Sequence, residues 1–119
     1  MDFEQIIQQI EKKWLDELYN FVKQIFSRSP IPSHDHLHHL RVWGFAKEVC
    51  REIDKKISPI DLSFLEALII AVFFHDTGLT KTKGPDHGHS SENICLDYFK
   101  NKNLRPEHFC EILEAIATH

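Results

Sequence analysis

Apolar residues at Phe3, Ile6, Ile7, Ile10, Trp14, Leu18, Phe21, Val22 and Ile25 recur at three- and four-residue intervals, the spacing that lines one face of an α-helix. This predicts a long amphipathic first helix. The two prolines of "SRSPIPS" end it, because proline lacks the amide proton that a helix interior needs. Leu40, Trp43, Cys50, Ile53 and Ile57 keep the same period and predict a second helix from near Ser33 or His34 to about Lys56. "SPID" then breaks the chain, and Pro59 or Asp61 falls in the first turn of a third helix. Between Leu62 and Phe74 only Ser63 and Glu66 are polar, so this third helix is predicted to be buried on most sides. Gly78 is expected to close it as the left-handed residue after the last turn. A fourth helix, roughly His89 to Asn101, carries Ile94, Leu96, Tyr98 and Phe99, and a fifth begins after "LRPEH" with Phe109, Ile112, Leu113 and Ile116 inward. No stretch alternates long enough to form a strand, and no internal repeat is present. The predicted fold is an all-α, single-domain bundle of about five helices spanning residues 1–119.

Composition changes this picture little. A 119-residue chain that is 42% hydrophobic and 27% charged, with a net charge of −4, fits one ordinary globular domain and carries no basic stripe of the kind that nucleic acid requires. The opening "MDFEQIIQQIEKKW" has acids and glutamines where a signal peptide needs a positive start and an apolar block. No run is read as reaching the ~20 apolar residues of a membrane span, so the expected location is cytoplasmic and no membrane partner is expected. Cys50, Cys95 and Cys110 are widely spaced and form no CxxC pair, and they read as reduced packing residues.

Histidine does change the picture. There are nine, and four of them fall within "HDHLHHL". His38 lies on a line with Val42, Phe45 and Val49 at helical intervals, which predicts that it points toward apolar neighbours. His119 falls three residues after Ile116 and is likewise expected inward. His36 and His39 lack such alignment and are expected to be solvated or to support a neighbouring ligand, while His34 either supports His38 or caps the helix. The sharpest feature is "AVFFHDTGLT", which sets His75 and Asp76 together at the end of the apolar helix. Burying either unpaired would cost several kcal/mol, so a hydrogen-bond network, an opposite charge or a metal must be nearby. Lone inward histidines are usually hydrogen-bonded core residues, but three separated elements aiming imidazoles inward, one beside a carboxylate, is how helical bundles build metal sites. His89, after the long loop "TGLTKTKGPDHG", is a further candidate.

"HDHLHHLRV", an apolar helix ending in "HDTG", then "GHSSENI" and "ILEAIATH" together resemble, in order, the HD-domain superfamily of metal-dependent phosphohydrolases, over the stretch from His34 onward. The resemblance implies His38 as first ligand, His75 and Asp76 as the paired ligands, and His89 and His119 as the additional ligands of two-metal members, with Asp76 bridging. It implies one or two divalent ions: Mn, Fe, Ni, Co or Zn, with Mg also admitted. The family completes its site with an aspartate on a further helix that has no counterpart before His119, so a fragment or an incomplete site is expected, with an apolar face left uncovered.

The chemistry that follows is hydrolysis of a phosphomonoester or phosphodiester of a nucleotide or related small metabolite. A divalent metal lowers the pKa of bound water from ~15.7 toward ~7 and neutralises phosphoryl oxygens, which gives Asp76 a catalytic role. Arg41 is placed to meet a phosphate bidentately, and Lys81 and Lys83 as mobile point charges. Two alternatives remain: a mixed-valent di-iron oxygenase of the same family, and a regulatory domain that keeps some ligands without turnover. A homo-oligomer is compatible with all three.

Overall fold

The computed structural model describes residues 1–28, 36–81, 87–104 and 110–118, with the side chains of 110, 111 and 118 left aside. Five helices follow in order: α1 (Phe3–Arg28), α2 (His36–Lys56), α3 (Leu62–Phe74), α4 (His87–Asn101) and α5 (Cys110–Thr118), with a 3-10 turn at Thr77–Thr80 between α3 and α4. No strand occurs among the described residues. The expected all-α bundle is what the chain forms.

α3 is the axis of the core. Leu65, Ile69, Ile70, Phe73 and Phe74 are fully buried, enclosed by Ile10, Leu18 and Val22 of α1, Cys95 and Phe99 of α4, and Ile116 of α5. Each such side chain contributes about 1.5–3 kcal/mol through the water it sheds. Asp61 starts α3 by accepting the Phe64 amide on its side chain at 2.8 Å, a cap that satisfies one of the helix's first free N–H groups. By length and composition Leu62–Thr80 passes for a membrane span, with a mean hydropathy of 1.6, which departs from the reading of the sequence given above. In the fold half of that window is buried inside the bundle.

α1 fastens the other helices through carboxylates. Glu11 accepts the Trp43 indole at 2.8 Å and Lys47 at 2.9 Å from α2, and Glu17 accepts the Tyr98 hydroxyl at 2.9 Å from α4. Trp14 returns the pattern by donating to Glu66 of α3 at 2.7 Å. Buried ring donors need such partners, and these fix the rotation of α2, α3 and α4 about α1.

Two expectations from the sequence are corrected here. Gly78 is not left-handed: no described glycine has a positive φ. α3 ends with His75 in a right-handed helical conformation, and Gly78 lies within the 3-10 turn pressed against α4. A Cβ on Gly78 would stand 2.1 Å from the His87 carbonyl oxygen and 2.5 Å from the Ser91 nitrogen. Glycine is needed there for approach, not for backbone hand. The second correction concerns α2. Phe45 and Val49 are 72% and 59% exposed, and the buried stripe runs instead through His39, Trp43 and Cys50. Trp43 and Cys50, which carry the period of α2 in the sequence, are buried as expected, with Glu11 accepting the Trp43 indole, whereas Ile57 and the line from His38 through Phe45 and Val49 turn partly to solvent. Phe45, Val49 and Ile57 are left as an uncovered apolar face on α2.

Candidate metal centre

His75 is the C-cap of α3 and Asp76 the residue before the 3-10 turn. A helix end leaves carbonyls without intrahelical partners, and here side chains take them. His75 Nδ1 donates to the Val72 carbonyl at 2.7 Å, and the Thr77 hydroxyl donates to the Phe74 carbonyl at 2.9 Å. The first bond matters chemically. With its proton on Nδ1, the His75 imidazole presents the lone pair of Nε2, the form a metal ligand requires.

An aspartate at the start of a turn commonly caps it with its own carboxylate. Asp76 does not: its side chain makes no capping bond. The carboxylate turns toward α2, where Oδ1 meets Nε2 of His39 at 2.5 Å and Oδ2 lies 3.7 Å from Nε2 of His75. Only 3% of the Asp76 side chain and 29% of the His75 side chain is exposed, so the carboxylate sits deep while the imidazole reaches the rim.

His38, half-buried one position before His39, completes the group. One ligand atom from each of His38, His75 and Asp76 lies within 4.8 Å of the other two. The convergence of these three residues, expected from the sequence, is present. Two imidazole nitrogens and one carboxylate form a donor set suited to a divalent transition metal with positions left open. Ligands about 2.1 Å from one ion stand at most about 4.2 Å apart, so the three side chains would have to draw slightly closer to share one. The C-terminal end of α3 adds a partial negative charge favourable to a cation.

His39 is the residue the sequence misplaced. Expected to be solvated or a support for a ligand, it is fully buried, with its ring stacked on Phe73 at 6.0 Å and against Phe26 at 5.3 Å. Its bond to Oδ1 orients the Asp76 carboxylate, the kind of outer contact that fixes a metal-ligating carboxylate. The available signal was its offset of four from Trp43, itself a natural core residue.

The remaining candidates are scattered. His89 is 71% exposed with Nδ1 3.9 Å from Glu92, and it stands outside the group. His36, expected beside His39 in its role, is half-buried with its ring edge-on to Tyr19 at 5.3 Å. Arg41 is exposed on α2 three residues after His38. Lys81 is exposed after the 3-10 turn and borders a cleft between α1 and α4. His34, Lys83, Phe109 and His119 lie outside the described residues. Beside His75, Val42 of α2, Ala71 and Val72 of α3, and Ala115 and Ile116 of α5 line an apolar hollow of about 300 Å³. Cys50 and Cys95 are buried free thiols, as expected of packing residues; burial raises both, and Cys95 is pushed up to about 12.

Compared with models of known protein families, with curated proteins and with solved structures, the chain matches none.

Proposed function

We propose that the chain is a metal-dependent phosphohydrolase of the HD-domain type, acting on a phosphomonoester or phosphodiester of a nucleotide or related small metabolite. The observation that carries the reading is the grouping of His38, His75 and Asp76, which supplies a divalent-metal donor set at the positions the family resemblance names. A bound metal of this class would supply an activated water and charge for the phosphoryl oxygens. The protein's own part is orientation. Val72 holds the His75 ring in the ligand tautomer, and His39 holds Asp76 away from the turn it would otherwise cap. Arg41, exposed on the same helix as His38, supplies a planar fork for a phosphate.

A second reading has one specific support. Two histidines and one carboxylate are also the set that holds iron in oxygenases, and the hollow beside His75 is almost wholly apolar in its lining. That would suit an HD-type oxygenase acting on a less charged substrate.

Protein stripped with EDTA and titrated calorimetrically with Mn²⁺, Fe²⁺ and Zn²⁺, then assayed on p-nitrophenyl phosphate and its diester, tests both. Metal-dependent phosphate release that His75→Ala abolishes supports the first reading. Tight Fe²⁺ binding with oxygen uptake and no phosphate release supports the second. Metal binding unchanged in both His38→Ala and His75→Ala would remove the site altogether.

A further inference from the structure

The 3-10 turn that follows Asp76 leads to a second feature, which shares no residue with the metal centre. Between the C-terminal half of α1, the turn and α4 lies a cleft of about 590 Å³, within the usual range of small-molecule sites, roughly 300–1,000 Å³. Its apolar part is Phe21 and Ile25 from α1 with Ile94 and Tyr98 from α4. These rings are set in place: Phe21 packs edge-on to Tyr98 at 4.8 Å and against Phe74 at 5.4 Å, and the Tyr98 hydroxyl is held by Glu17. A ligand ring would meet a surface already ordered, so little side-chain freedom is lost on binding.

The polar part of the cleft carries two cations, Arg28 and Lys81. Lys13, Lys47, Arg51, Lys56 and Lys102 each pair with a carboxylate within 4.0 Å, as expected where acids outnumber bases 18 to 14. Arg28 and Lys81, which border the cleft from α1 and from the turn, have no such pair among the described residues. Two unneutralised cations at one opening attract an anion, and the guanidinium can take a carboxylate or phosphate bidentately. Asn93 and Asn101 add amides, and Asp97 adds one acceptor for a hydroxyl or amine.

We propose that this cleft binds a small organic anion that carries a ring: its phosphate or carboxylate at Arg28 and Lys81, its ring over Phe21, Ile25, Ile94 and Tyr98, and a hydroxyl or amino group toward Asp97. The proposal does not rest on the metal centre, and it assigns Lys81 to this cleft. Asp97 works against a bare anion, because an acceptor without a donor opposite it repels negative charge, so the site selects for the ring-bearing class.

The test uses the whole chain in EDTA, titrated with AMP, L-tyrosine and inorganic phosphate while amide resonances are followed by NMR. Expected is binding of AMP or L-tyrosine with a Kd below about 1 mM, at least about tenfold tighter than inorganic phosphate, with shifts at Arg28, Lys81, Asn93 and Asn101. The nature of the better ligand tells phosphate from carboxylate. Arg28→Ala combined with Lys81→Ala should weaken it about tenfold or more, consistent with loss of two charge-assisted contacts. Both side chains are exposed, so an unchanged melting temperature is expected to accompany the loss. Ring-bearing anions that bind no tighter than phosphate, shifts confined to His38 and His75, or an unaltered Kd in the double variant would each overturn the proposal.

Discussion

Nε2 of His39 stands 2.5 Å from Oδ1 of Asp76, with the two side chains 0% and 3% exposed. Asp76 therefore has two tasks: it pairs with a core histidine through Oδ1, and its carboxylate groups with His75, 3.7 Å from Oδ2, and with His38. A substitution at either residue reads out on stability and on metal binding separately, and the two readouts distinguish the tasks.

Asp76→Asn keeps the shape of the side chain and removes its charge. In EDTA it should lower the melting temperature, since a charge-assisted bond to His39 becomes a neutral one; a loss of about 1–2 kcal/mol, roughly 4 °C per kcal/mol, is expected. The decisive quantity is the gain on adding Mn²⁺. The native chain should rise by several degrees, as any ligand of the folded state alone requires, and the variant should not. Thermal melts of both proteins with chelator and with Mn²⁺ measure this, and an equal gain in both would show that Asp76 is structural only.

His39→Ala should cost about 3–5 kcal/mol, because it opens a cavity among Phe26 and Phe73 and leaves a buried carboxylate without this partner. His39→Gln places an amide nitrogen near the position of Nε2 and should recover part of that loss. Urea unfolding of the three proteins in EDTA gives the values. If Gln is no better than Ala, the bond to Asp76 is not what His39 contributes.

Gly78→Ala should destabilise the fold by about 3 kcal/mol or more, because backbone atoms of His87 and Ser91 occupy the space of the new methyl group and cannot swing aside. Gly44→Ala is the control: its Cβ would meet nothing within 4 Å, and the exchange should be neutral or stabilising by up to about 1 kcal/mol within a helix. Comparable melting temperatures for the two variants would contradict the close approach of the turn to α4.

Alkaline pH should weaken the fold through Cys95 and Tyr98. Burial raises the Cys95 thiol from 9.0 to about 12, and burial followed by the bond to Glu17 raises the Tyr98 hydroxyl above its ordinary 10.0. Both groups hold their protons longer in the folded chain than in the unfolded one. Their contribution is complete below about pH 9 and declines as pH rises toward 12, by a few kcal/mol in all. Urea midpoints between pH 8 and pH 11 should fall steadily in the native chain and less steeply in Tyr98→Phe. A flat profile would mean that these groups titrate alike in both states.

The sequence by itself determined the helices and which residue types each carries. Most boundaries of the first four helices lie within about two residues of where periodicity, Pro30, Pro32 and Asp61 put them, because helix formation follows from local spacing and capping. It also determined that α3 is the buried helix and that His75 and Asp76 close it, since thirteen residues with two polar side chains have no exposed face to offer. Only the tertiary structure decided which of His38 and His39 enters the core. The two are adjacent, about 100° apart on the helix, and the apolar line through His38, Val42, Phe45 and Val49 looked as good as the true one through His39, Trp43 and Cys50. The choice was made by distant residues: Glu11 drawing Trp43 inward and Asp76 receiving His39. The same holds for the close approach of Gly78 to His87 and for the cleft that Arg28 and Lys81 both border, which depend on how α1, the turn and α4 pack. Local periodicity carries no information about such pairings, because it describes one helix at a time and they arise where helices meet.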